Sequence, residues 1–129
     1  MTHKNYKILL IDDDKFLLGM YSQKFAKEGF EVVSAPSGTE AFAKLQDFKP
    51  DIVLSDIVLP GLDGLDIIEH IQKEKLAEGA IIIMLTNQGD KYDIDRAKAL
   101  HVHGYIVKAT SIPSEVVTEV VKIAEQNGK

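Results

Sequence analysis

The chain has 129 residues and a mass of 14.3 kDa, which suits one domain with a real core and is too small for a second. A net charge of −5 argues against direct nucleic-acid binding, which ordinarily leaves a basic footprint, and the lack of cysteine excludes both disulfides and thiolate metal sites. The N-terminus carries no apolar signal-like region and no apolar run approaches a membrane span, so a cytoplasmic protein without membrane insertion is the expectation.

Strand-like apolar runs alternate with amphipathic segments along the whole chain, the pattern of an α/β domain built on a parallel sheet. Lys7–Ile11 reads as the first strand and is followed by Asp12-Asp13-Asp14. A helix is expected over Lys15–Glu28, with Leu17, Met20, Tyr21 and Phe25 near helical spacing and Gly29 as its C-terminal cap. Glu31–Ala35 is the second strand. Ser37-Gly38-Thr39-Glu40 then has the form of a capping box, opening a helix with apolar Ala41, Phe42 and Leu45. The third strand, Ile52–Ser55, ends against Asp56, and the pairs Pro60-Gly61 and Asp63-Gly64 mark a turn before a helix over Leu65–Lys75.

Ala80–Leu85 is the fourth strand, with Thr86 at its end; Asp90–Leu100 is a charged helix; Tyr105-Ile106-Val107 is the fifth strand, with Lys108 directly after it. Ser114 is expected to cap the last helix, just after Pro113. Val116, Val117, Val120, Val121, Ile123 and Ala124 on that helix span an arc of roughly 160°, wider than the usual buried stripe. Two readings follow: a deeply buried helix, or one that leaves part of its apolar face to a partner. No repeat, linker or low-complexity segment interrupts the chain, so residues 1–129 are read as a single domain with its core over about 6–126.

Continuous apolar strands imply burial on both faces, and right-handed crossovers then give a doubly wound sandwich. Ligands in such sheets bind beyond the carboxyl ends of the strands. Asp12, Asp13, Asp56, Thr86 and Lys108 all fall at those ends. Three gathered carboxylates repel one another, and a hard divalent cation with oxygen ligands, Mg²⁺ rather than zinc, relieves the repulsion. A lysine supplies a point charge and a threonine a hydroxyl donor for a phosphoryl oxygen, and a carboxylate can serve as the nucleophile.

The segments Ile11-Asp12-Asp13, Pro50 through Gly64 around Asp56, Thr86, and Gly104-Tyr105-Ile106-Val107-Lys108 resemble the receiver domain of two-component response regulators. The resemblance runs from about Tyr6 to about Gln126 and implies a CheY-like, flavodoxin-like fold, with five helices and five parallel strands ordered 2-1-3-4-5. It implies a signalling protein rather than an enzyme. Asp56 would accept a phosphoryl group from the phosphohistidine of a sensor kinase or histidine phosphotransfer protein. Asp13, Asp56 and the backbone carbonyl of Val58 would bind Mg²⁺ directly, with Asp12 acting through a metal-bound water. Lys108 and Thr86 would contact the phosphoryl group, and Thr86 and Tyr105 would form the switch. Output would pass to a downstream protein through the fourth helix, fifth strand and fifth helix, or the phosphoryl group would pass along a relay.

Three features depart from the family pattern. Ala109 stands where a proline in a cis peptide is usual, and a cis bond before a non-proline costs about 2.5–4 kcal/mol, so a trans bond or a strained exception is expected. Asn87 stands where a small residue is usual, and His101-Val102-His103 replaces small residues before the fifth strand. Plain structural roles compete for several residues: Asp14 as an N-cap, Tyr105 as core, and His3, His70, His101 and His103 as solvated groups rather than metal ligands. His101 and His103, two apart, would share one face of an extended segment. The rival functions are a receiver-like binding module that is never phosphorylated and a Mg²⁺-dependent aspartyl phosphohydrolase. The second lacks an evident substrate pocket and has Val58, with no acid–base group, beside the nucleophile. A stand-alone regulator is the expectation, with a piece of a longer regulator as its alternative.

Overall fold

The computed structural model describes residues 5–59, 61–86, 91–108 and 112–129. Five strands form one parallel sheet: β1 (Lys7–Ile11), β2 (Glu31–Ala35), β3 (Ile52–Asp56), β4 (Ile81–Thr86) and β5 (Gly104–Val107), in the order β2-β1-β3-β4-β5. Between and after them run α1 (Lys15–Lys27), α2 (Gly38–Leu45), α3 (Gly64–Lys73), α4 (Lys91–Ala99) and α5 (Pro113–Gln126). The expected fold class and strand order are therefore observed.

Period-two alternation divides the core into two layers. Ile8, Leu10, Ile52, Leu54, Ile81, Ile83, Leu85 and Ile106 face α1 and α5, meeting Leu18, Phe25, Val116 and Val120. Leu9, Ile11, Val53, Ile82 and Met84 face α2, α3 and α4, meeting Ala41, Leu45, Ile67, Ile68, Ile71 and Ala97. Every residue of β3 and β4 is buried, which accounts for their unbroken apolar runs. Phe25 anchors the first layer edge-on to Phe30, with ring centroids 4.9 Å apart.

The helix ends follow local chemistry. Asp14 caps α1, its Oδ1 accepting from the N–H groups of Phe16 (3.0 Å) and Leu17 (3.1 Å), and Gly29 takes the positive φ of 95° just beyond the helix. The Ser37 hydroxyl accepts from the Glu40 N–H at 3.2 Å to open α2. Asp63 and Asp66 form a reciprocal capping box on α3. Ser114 does not cap α5. Ile112 holds that position, Pro113 begins the helix without an N–H to leave unpaired, and the Glu115 carboxylate reaches back to accept from the Ile112 N–H at 2.9 Å. Ser114 is thereby drawn into the first turn.

The wide apolar arc of α5 is resolved in favour of burial. Val116, Val117, Val120, Val121 and Ala124 are all buried, and Ile123 is half-buried over Gly104, where an added Cβ would stand 2.9 Å from its Cδ1. The segment before β5 is not extended as expected. His101 adopts a left-handed φ of 59° after α4, so the chain turns there, and His103 is engaged in the sheet. Its N–H donates to the Ile82 carbonyl at 2.8 Å, and its Nδ1 accepts from the Ile82 N–H at 2.9 Å. His103 thus extends the β4–β5 ladder by one rung with an imidazole in place of a carbonyl. Burial pushes its pKa down.

A candidate acidic phosphoacceptor site

Strand order places β1, β3, β4 and β5 side by side, so the residues at their carboxyl ends converge. Asp56 is itself the last residue of β3, paired in register with Leu85. Asp12 and Asp13 follow β1, and the Asp12 N–H continues the β2 ladder by donating to the Ala35 carbonyl at 3.2 Å. Ligand oxygens of Asp12, Asp13 and Asp56 lie within 4.8 Å of one another, with Asp12 and Asp56 buried and Asp13 exposed. Lys108 reaches in from the end of β5, its Nζ 2.9 Å from Asp56 Oδ2 and 3.0 Å from Asp12 Oδ2.

Three carboxylates against one ammonium leave two negative charges uncompensated when all are ionised. The strain is visible in two ways. Asp56 Oδ1 and Asp12 Oδ2 are buried without a hydrogen bond of good geometry, although the second faces the Lys108 charge. Burial also pushes the Asp56 carboxyl above its ordinary range, and the Lys108 hydrogen bond opposes this without cancelling it. Burial works to lower the Lys108 pKa, but the Asp56 hydrogen bond and the charges of Asp56 and Asp12 outweigh it and hold the ammonium above its usual value. An oxygen-only donor set with surplus negative charge and an orphaned buried oxygen on Asp56 fits a hard divalent cation.

Backbone packing fixes the loop that follows Asp56. The Gly64 N–H donates to the Ile57 carbonyl at 2.7 Å, and a Cβ on Gly64 would stand 1.8 Å from the Asp56 carbonyl oxygen. The Ser55 hydroxyl donates to that same Asp56 carbonyl at 2.9 Å. The start of α3 is therefore clamped onto the end of β3, and the intervening loop carries Val58 outward, 67% exposed.

Thr86 is buried at the end of β4, opposite Val107, and Tyr105 pairs with Met84 one strand away. Tyr105 is half-buried against the core layer under α3 and α4. Asp14 is a cap rather than a member of the acidic set. Among the described residues no histidine joins a metal-binding cluster: His70 stacks on Phe42 with centroids 4.4 Å apart, and His103 bonds the sheet. Asn87, Ala109 and His3 lie outside the described residues.

Three neighbours of the site are not apparent from the sequence reading. Ser55 reads there only as strand, although its place one residue before the acidic strand end is a cue. Tyr21 lies buried on α1, its phenol pushed up by burial while within electrostatic reach of Lys108, Asp12 and Asp56. Arg96 of α4 donates to Asp63 and Asp66, at 3.3 and 3.0 Å, a pairing that no local spacing announces.

The family described as the response regulator receiver domain matches residues 8–120. The chain belongs to that family. It is 32% identical over 112 residues to the alkaline phosphatase synthesis transcriptional regulatory protein PhoP of Bacillus subtilis, covering 87% of this chain and 45% of that protein. It is also 32% identical over 120 residues to the DNA-binding response regulator MtrA of Mycobacterium tuberculosis, covering 93% of this chain and 51% of the relative. The receiver chain thus spans about half the length of these two relatives. Among solved structures it is similar to the chemotaxis response regulator CheY4 of Vibrio cholerae, with a TM-score of 0.84 at 26% identity over 93% of this chain and 99% of that one. No helix among the described residues is long and apolar enough to cross a membrane.

Proposed function

We propose that this receiver accepts a phosphoryl group on Asp56 from a phosphohistidine of a sensor kinase or histidine phosphotransfer protein, and that the change at Asp56 alters a surface read by a partner protein. The observation that carries this reading is the gathering of Asp12, Asp13 and Asp56 within 4.8 Å around a buried, unpartnered Asp56 oxygen, with Lys108 at 2.9 Å. An Asp56 carboxylate oxygen attacks phosphorus, the phosphorus–nitrogen bond to the donor imidazole breaks, and the electron pair of that bond leaves on the ring nitrogen. The product is an acyl phosphate on Asp56 and a free histidine on the donor.

Asp12, Asp13, Asp56 and the Val58 carbonyl are the groups that would hold Mg²⁺, which supplies charge neutralisation at the carboxylates and phosphoryl oxygens. Lys108 keeps a full positive charge for the incoming phosphoryl oxygens, because its acidic neighbours hold it protonated. Thr86 donates its hydroxyl to the phosphoryl group. Tyr105 lies on the adjacent strand β5, two residues before the Val107 that pairs with Thr86, and follows its movement as the second half of the switch. Output passes through α4, β5 and α5.

The test is intact mass after incubation with Mg²⁺ and acetyl phosphate or a phosphorylated kinase. One phosphoryl addition is expected in the wild type and none in Asp56→Asn. No addition from either donor, or equal addition in the variant, overturns the reading.

A further inference from the structure

We propose that Arg96 is a positioning residue that yokes α4 to the phosphoacceptor loop, so that a change at Asp56 is felt in α4 through the N-terminus of α3. The inference rests on the receiver reading for its functional meaning, while its structural half stands on contacts alone.

Helix α4 has little apolar hold on the molecule. Ala97 is its one buried residue among those described, and the helix sequence Lys91-Tyr92-Asp93-Ile94-Asp95-Arg96-Ala97-Lys98-Ala99 is mostly polar. Its position depends instead on directed polar contacts to α3. Arg96 Nη2 lies 3.0 Å from Asp66 Oδ1 and its Nη1 lies 3.3 Å from Asp63 Oδ2, so one guanidinium spans both members of the α3 capping box. At the far end, the Gln72 side-chain amide donates to the Leu100 carbonyl at 2.7 Å. The two pins stand at opposite ends of α3, while on the α4 side they fall at Arg96 and Leu100, toward its C-terminal end.

The first pin meets the phosphoacceptor loop directly. Asp63 adjoins Gly64, whose backbone rests on the Asp56 carbonyl and whose N–H holds Ile57. A shift of the Asp56 backbone therefore moves the capping box, and the capping box carries Arg96 with it. Lysine cannot reproduce this coupling, since only the planar fork reaches both carboxylates with fixed geometry. The pull of Arg96 holds the Asp66 carboxyl below its ordinary range, consistent with an ionised pair. The fork is partly open to solvent, with the Arg96 side chain 25% exposed, so high salt weakens it.

Amide hydrogen exchange on the full chain tests the yoke, with acetyl phosphate and Mg²⁺ as the probe. In the unphosphorylated state, Arg96→Gln should speed exchange across α4 by about threefold to tenfold while β4 stays at its wild-type rate. Arg96→Lys should fall between the two. On phosphorylation, the change in α4 protection seen in the wild type should shrink at least about threefold in Arg96→Gln, although phosphoryl addition to Asp56 continues. The exchanged pair Arg96→Asp with Asp66→Arg should restore part of the response, which a purely space-filling role would not.

Uniform acceleration through β4 and α5, or an undiminished α4 response in Arg96→Gln, overturns the yoke. A wild type that takes up no phosphoryl group refutes the receiver mechanism instead, and the comparison of α4 exchange in the unphosphorylated proteins still decides the structural half.

Discussion

Replacing Gly64 by alanine adds one methyl group at the most constrained backbone contact of the site. Its Cβ would stand 1.8 Å from the Asp56 carbonyl oxygen and 2.8 Å from the carbonyl carbon, whereas real Cβ atoms essentially never approach within 3.0 Å. The obstructing atoms are backbone, so no side-chain rotation relieves the clash; β3 and α3 must separate by about 1.2 Å, the gap between 1.8 and 3.0 Å. Overpacking of this kind costs about 3 kcal/mol, the upper end of its usual range. The unfolding entropy of a domain this size is about 0.27 kcal/mol/K, which converts that cost to a fall in Tm of about 11 °C.

Gly19 supplies the matched control. It lies inside α1, and a Cβ there meets nothing within 4 Å, so Gly19→Ala should stabilise the helix by about 0.5–1 kcal/mol and raise Tm by about 2–4 °C. Thermal and urea denaturation measure both variants, and a Mg²⁺ titration followed by NMR shows whether Gly64→Ala also displaces Asp56. A Gly64→Ala protein within about 0.5 kcal/mol of wild type, with an unchanged titration, would refute the clamp between β3 and α3.

Two further outcomes follow from the charges. Because the Asp56 pKa is raised on folding, the folded state holds its proton longer than the unfolded chain; stability is greatest below the unfolded pKa and falls as pH rises through the folded one. At neutral pH without metal, Asp56→Asn should therefore be more stable than wild type by about 2–5 °C in Tm, and an equal or lower Tm would contradict the surplus-charge account. Mg²⁺ at about a hundred times its Kd should raise the wild-type Tm by about 10 °C, and the rise should shrink sharply in Asp13→Asn. His103 runs with the opposite sign of charge: its pKa is lowered on folding, so its contribution is complete above the unfolded value and is lost as pH falls through the folded one. Amide exchange at Ile82 should accelerate on acidification through that window relative to Ile83, and His103→Gln should flatten the pH dependence.

Most of the fold was legible because its signals are local. Apolar runs of strand length, glycine at 29 and the aspartates at 14 and 63 each act within a few residues of themselves, and the observed elements begin and end close to where those signals stand. The errors arose where two local solutions compete. Ser114 has the chemistry of a cap, but proline at the first helical position and the Glu115 carboxylate three residues beyond Ile112 satisfy the same need two residues earlier. At His101 and His103 the alternation suggested an extended segment, whereas the end of α4 required a left-handed residue before the strand could start.

By itself the sequence determined the alternation of strands and helices, and with it the arrival of Asp12, Asp13, Asp56, Thr86 and Lys108 at one edge of one sheet. Periodicity carries that information, because a strand's direction and its last residue are properties of a short run. Only the tertiary structure decided how charged that edge is, which of its oxygens lack partners and what holds its loop in place. Burial, the orphaned oxygen of Asp56, the contact of Gly64 with the Asp56 carbonyl and the reach of Arg96 to Asp63 and Asp66 all join residues far apart or depend on what the whole molecule excludes from water. Desolvation and long-range pairing have no period, so no pattern along the chain announces them.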